Sequence, residues 1–134
     1  MRKFTKNTFL FKEHVTLFKG SNNYDVYDPQ TKEIILHCRE KNLNPLYKII
    51  RLLITEFKSM TPFEIEISGL DGKKIIKVKK RLSLVLSKIE VFDENDRLIG
   101  LIKLKLFPLG NNFEIFDEKG NLVSKLNGSL IGLL

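Results

Sequence analysis

A short string in the second half of the chain occurs twice. Ile89-Glu90-Val91-Phe92-Asp93-Glu94 returns as Phe113-Glu114-Ile115-Phe116-Asp117-Glu118, an offset of 24 residues from Asp93 to Asp117. Each copy runs from alternating residues into an acidic turn and out into an apolar pair, Leu98-Ile99 or Leu122-Val123. Two weaker echoes lie upstream. Tyr24-Asp25-Val26-Tyr27-Asp28 passes through Pro29-Gln30-Thr31-Lys32 into Ile34-Ile35, and Ile65-Glu66-Ile67-Ser68 passes through Gly69-Leu70-Asp71-Gly72 into Ile75-Ile76. A strand–turn–strand cassette used four times confines the chain to a mainly β fold, an antiparallel meander of repeated hairpins.

Composition agrees. Ten Phe, no Ala and no Trp favour strands over a helix bundle, and 134 residues at 43% hydrophobic suffice for the core of one domain spanning residues 1–134. The single cysteine, Cys38, has no internal disulfide partner, which points to a reducing, cytoplasmic compartment. Lys12 and Glu13 interrupt any signal-peptide core, and no stretch reaches the ~18 apolar residues of a membrane span. The expected state is soluble or peripheral at a membrane. With 23 Lys and Arg against 16 Asp and Glu, the net charge of +7 favours polyanionic partners: anionic lipid, nucleic acid or acidic proteins.

Along the chain, residues 4–17 carry a loose period of two and predict two short strands. Strands over Tyr24–Tyr27 and Glu33–Arg39 flank a turn with Pro29 at its second position. Asn44 is a good N-cap and Pro45 suits the first helical position, so a helix is expected over 44–58. Leu46, Ile49, Ile50, Leu53 and Phe57 form one face of it, fit to cover a core or, as the alternative, to lie on a membrane surface. Thr61-Pro62 ends it. From Phe63 onward only strands are expected: Phe63–Ser68 and Lys73–Lys79 around Asp71-Gly72, Arg81–Ser87, then the two best copies of the cassette, with Gly120 in a left-handed turn position. Residues Ser124–Leu134 end apolar, which predicts self-association through an open C-terminal edge.

No catalytic set is visible. His37 and Cys38 are adjacent on an expected strand and so face opposite ways, and neither histidine has the spacing of a metal site. Asp93-Glu94-Asn95-Asp96 lacks the Gly and distant Glu of a calcium loop, and Ser68–Gly72 lacks the Lys of a phosphate loop. Glu64, Glu66, Glu90 and Glu114 read as solvent-facing members of alternating strands, whereas Phe92, Phe113 and Phe116 read as core. No cofactor is implied. Lys77 and Lys79 alternate with Ile76 and Val78, and Lys103 and Lys105 flank Leu104. These four lysines should share a solvent face, with Lys80 and Arg81 at its margin.

The cassette spacing, the helix after the first hairpin and the run from Ser87 to Leu126 resemble the LURP-one-related and phospholipid-scramblase superfamily. The resemblance implies the tubby C-terminal-like fold, a closed β-barrel around a central hydrophobic helix. It covers nearly all of this chain but not the C-terminal third of such a domain, so a partial barrel is expected. In tubby proteins a strand with two basic residues one apart leads through Leu-Gly into Phe-x-Ile/Val-Tyr-Asp, and the basic pair binds phosphoinositide phosphates. Lys103-Leu104-Lys105, Leu109-Gly110 and Phe113–Asp117 are similar, with Lys105 where Arg is usual and Phe116 where Tyr is usual. Loss of the Arg fork weakens bidentate phosphate recognition. The resemblance thus implies a non-catalytic module docking on anionic phospholipid through a basic sheet face. The alternatives are a nucleic-acid-associated or regulatory protein using the same surface, or a truncated fragment without independent activity.

Overall fold

In the computed structural model the described residues are 7–13, 23–41, 44–47, 49, 61–82, 87–106 and 111–128. They form nine antiparallel strands: β1 (Leu10–Glu13), β2 (Tyr24–Tyr27), β3 (Ile34–Glu40), β4 (Phe63–Gly69), β5 (Lys74–Lys80), β6 (Ser87–Phe92), β7 (Leu98–Leu106), β8 (Asn111–Asp117) and β9 (Leu122–Gly128). Their order in the single sheet is their order in the chain. This is the meander that the cassettes predict, and among the described residues the sheet is not closed: β1 and β9 are its edges.

The 24-residue offset reaches further back than the sequence comparison indicates. Ile67 faces Ile76, Val91 faces Gly100 and Ile115 faces Ser124, each pairing displaced by 24 residues from the last. The contacts between hairpins obey the same translation, since Lys77 faces Phe92 and Leu101 faces Phe116. The β4–β5, β6–β7 and β8–β9 hairpins are therefore three copies of one unit in one register.

The turns explain why the unit repeats. Asp93 Oδ1 accepts hydrogen bonds from the backbone N–H groups of Asn95 and Arg97, both at 2.9 Å, while Oδ2 accepts from Arg97 Nε at 2.8 Å. Asp117 does the same for Lys119, at 2.9 Å, and Asn121, at 2.8 Å. Asn121 Nδ2 also donates to Asp117 Oδ2 at 2.9 Å. The Arg97 donors hold the Asp93 carboxyl, and the Asn121 side-chain amide and backbone N–H the Asp117 carboxyl, below the usual carboxylate range. Each three-residue loop then closes with one left-handed residue, Asp96 (φ 62°) or Gly120 (φ 85°). In the β4–β5 hairpin Gly72 (φ 74°) takes that position, so Asp71-Gly72 is the end of a three-residue loop rather than a two-residue turn.

Beyond each turn the ladder slips by one residue. Ile35, Ile75, Ile99 and Val123 are the extra residues of four bulges, each near the start of the returning strand. The apolar pair that follows every turn in the sequence marks this feature.

Alternation then sorts the side chains. One face carries Val26, Leu36, Cys38, Ile65, Ile67 and Val78 together with their equivalents further along the sheet. Among the described residues the buried apolar side chains are Val26, Cys38 and Ile75. Burial raises the Cys38 thiol pKa and so favours its protonated form.

The segment from Asn44 begins as expected. Asn44 Oδ1 accepts from Leu46 N at 2.9 Å, Tyr47 N donates to the Asn44 carbonyl at 3.0 Å, and Pro45–Tyr47 are helical. Leu46 and Ile49, expected on a packing face, are exposed. The rest of the expected helix lies outside the described residues, as do 83–86 of the expected Arg81–Ser87 strand. Arg81 and Leu82 stand in no strand. Of the two N-terminal strands expected over residues 4–17, one is seen, β1; residues 14–17 lie outside the description.

Candidate functional site

The polar face of the sheet is built from a rule that register imposes. In the hairpins from β2 to β9 the even-numbered strands contribute acids, Asp25, Glu66, Glu90 and Glu114. The odd-numbered strands beside them contribute His37 and Arg39, Lys77 and Lys79, Lys103, and Lys125. Lys77, Lys79 and Lys103 thus share one face, as period two predicts, and the backbone of Lys105 pairs with Asn112. The strand β6 lies between the two lysine strands, so about 10 Å separates their backbones.

Lys80 does not belong to that face. It pairs with Phe63 and Ile89 on the apolar side and is only 6% exposed. A one-residue step along a strand reverses direction, so a residue next to Lys79 cannot extend a patch that contains Lys79. Arg81, past the end of β5, points into solvent, with its side chain 77% exposed.

Phe92 and Phe116 are a second correction. They stand two residues beyond Glu90 and Glu114 and hence on the polar face, not in the core. Each lies under a lysine: Lys77 Nζ is 4.9 Å from the centre of the Phe92 ring, and Lys103 Nζ is 4.3 Å from that of Phe116. A cation over the ring face gains from the quadrupole, and the lysine stem shields the ring from water. Phe113, by contrast, pairs with Leu104 and Leu126 on the apolar face.

The charges are compensated unevenly. Near the turns, Lys74 and Lys77 both bind the Asp96 carboxylate, Lys74 Nζ at 2.8 Å. Those two donors draw the Asp96 carboxyl pKa down to about 2, and the hydrogen bond to Asp96 in turn raises that of Lys77. Lys79 Nζ stands 3.3 Å from Glu64, and Lys125 Nζ 3.8 Å from Glu114. Arg81 and Lys88, from 3.5 and 3.7 Å, share the single carboxylate of Glu90. Lys103, in register with Lys88, is exposed beyond the Phe116 ring.

A second cluster, which the sequence did not single out, locks β2 to β3. Asp25 is 4% exposed. Its Oδ1 lies 2.6 Å from Arg39 and 2.8 Å from His37 Nδ1. Arg39 also donates to the carbonyls of Tyr24 and Cys38, at 2.7 and 3.0 Å. Finding it required the hairpin register, which sets Asp25 opposite His37. Among the described residues no group of three or more His, Cys, Asp or Glu is arranged to hold a metal ion, and no helix is long and apolar enough to cross a membrane.

What the fold and this face define is a class: an antiparallel meander of repeated hairpins with one apolar face and one charge-patterned face. Comparison with protein-family models, with curated proteins and with solved structures yields no match to this chain.

Proposed function

We propose that the chain is a non-catalytic binding module that docks on anionic phospholipid through the polar face of its sheet. The observation that carries the reading is the sharing of one carboxylate, Glu90, by Arg81 and Lys88 beside the exposed Lys103. Lys79 extends the same surface. The neighbouring placement of Lys103-Leu104-Lys105 on β7 and Phe113–Asp117 on β8 supports the likeness to the tubby-like, scramblase-related barrels. Each basic residue near an anionic membrane contributes about 1 kcal/mol, and salt weakens the attraction.

Co-sedimentation with vesicles of phosphatidylcholine alone, or with added phosphatidylserine or phosphoinositide, tests this. Replacing Arg81 and Lys88 together by Ala should weaken binding to anionic vesicles by about 2 kcal/mol, near thirtyfold. Replacing Lys103 and Lys105 should weaken it more than replacing Lys3 and Lys6. Equal effects from both lysine pairs would refute a localised lipid site.

A second reading rests on Phe92 and Phe116, aromatic rings interleaved with lysines on the same face. Single-stranded nucleic acid is bound by that combination. Competition decides between them: an oligonucleotide that displaces vesicles at equal charge favours nucleic acid.

A further inference from the structure

The β4–β5 hairpin departs from the other two copies at one position of the polar face. The 24-residue translation carries Ser68 onto Phe92 and Phe116, the rings that Lys77 and Lys103 cover. In the later copies the residue facing that ring from the preceding strand is Lys77 or Leu101, and in the first copy it is His37. A hydroxyl and an imidazole thus stand where the repeat elsewhere places a packed ring and its neighbour.

His37 has a fixed partner on its other side. The register sets Asp25 opposite His37 and His37 opposite Ser68, so the three form one row across β2, β3 and β4. Facing residues of an antiparallel pair have Cβ atoms about 5 Å apart, a separation that an imidazole and a hydroxyl can span. The Asp25 carboxylate, 4% exposed, lies 2.8 Å from His37 Nδ1. By accepting there it fixes Nδ1 as the protonated nitrogen and leaves Nε2 as the basic one. Arg39 Nη2, 2.6 Å from the same carboxylate oxygen and 3.1 Å from Nδ1, holds that oxygen in place. Among the described residues neither His37 Nε2 nor Ser68 Oγ has a hydrogen-bond partner. The His37 side chain is 32% exposed and Ser68 is half-buried, so solvent reaches both.

We infer that Ser68 is an activated nucleophile and a site of acylation, which takes the acyl group of an activated ester in one stoichiometric transfer. The inference is independent of lipid binding and requires no turnover. Ser68 Oγ forms a bond to the acyl carbon while His37 Nε2 takes the hydroxyl proton, and Asp25 stabilises the imidazolium so formed. The bond from the acyl carbon to the departing oxygen then breaks, and His37 returns the proton to that oxygen. The products are acyl-Ser68 and an alcohol, with no oxidant or reductant consumed. Lys74, opposite Ser68 on β5, supplies a cation on the flank where the carbonyl oxygen gains negative charge.

The test treats the full chain with p-nitrophenyl acetate and locates acetyl groups by peptide mass spectrometry. Acetyl should appear on Ser68 and be released by hydroxylamine, as an ester is and a lysine amide is not. Ser68 should react at least about a hundredfold faster than Ser124, an exposed serine of the same sheet, and His37→Gln should remove that advantage, the scale of a general base. Circular dichroism verifies that the variant is folded, and the comparison with Ser124 in the native chain stands without it. No acetyl on Ser68, labelling no faster than that of Ser124, or an unchanged rate in folded His37→Gln would each overturn the proposal.

Discussion

Neutralising Arg39 should destabilise the chain more than neutralising Asp25, although the two form one ion pair. The asymmetry comes from burial. Asp25 is 4% exposed, while the Arg39 side chain is 35% exposed and reaches water. Arg39→Met withdraws donors 2.6 Å from a buried carboxylate and 2.7 Å from the Tyr24 carbonyl. Breaking a buried pair from the side that leaves a buried charge costs ~3–5 kcal/mol, and the partial exposure of Arg39 reduces this to about 2–4. Asp25→Asn removes the buried charge itself and keeps an acceptor for Arg39, so the loss is about 1–2 kcal/mol, that of a charged hydrogen bond. The double variant should cost less than the sum, with a coupling of about 1–2 kcal/mol. Urea denaturation followed by circular dichroism, with m-values checked for two-state behaviour, measures all four corners of the cycle. An Asp25→Asn loss equal to or larger than that of Arg39→Met, or additive losses, would refute the reasoning.

Two further outcomes follow from the turns and bulges. A Cβ on Gly100 would stand 2.9 Å from the main-chain carbonyl oxygen of Phe116, so Gly100→Ala should cost about 1–2 kcal/mol despite the entropic gain of losing a glycine; an unchanged urea midpoint would contradict it. Asp96 should stabilise the fold above its ordinary pKa of ~3.9, and that contribution should disappear as pH falls towards its depressed value of about 2. The urea-midpoint gap between the native chain and Asp96→Asn, which tolerates the same left-handed backbone, should therefore be full at pH 5 and mostly lost by pH 2; a gap constant with pH would count against the lysine contacts.

Much of the architecture was legible because turn chemistry and alternation are local. Asp93 and Asp117 close their loops with their own carboxyls, so a recurring Phe-Asp-Glu marks a hairpin without knowledge of the rest of the chain. What failed was the assumption that aromatic means buried. Phe92 follows Glu90 by two residues and must share its face, and a lysine from the next strand then makes that position favourable for a ring. Lys80 was open to the same parity argument, since it adjoins Lys79. The Asp25–His37–Arg39 cluster was not open to it, because which residues meet across β2 and β3 depends on the bulge at Ile35. The sharing of Glu90 by Arg81 and Lys88 likewise depends on which carboxylate each cation reaches, a matter of neighbouring strands together rather than of one.

The bulges have a consequence for shape. All four lie on returning strands, near the turns, one to a hairpin, and each bends its strand and tightens the local right-handed twist. A sheet bent by the same increment at every hairpin curls steadily, and its arc is proportional to the number of hairpins. How far such a shell wraps around its apolar side is then set by copy number. Duplicating or losing one unit would lengthen or shorten the arc by a fixed step, without disturbing any other pairing.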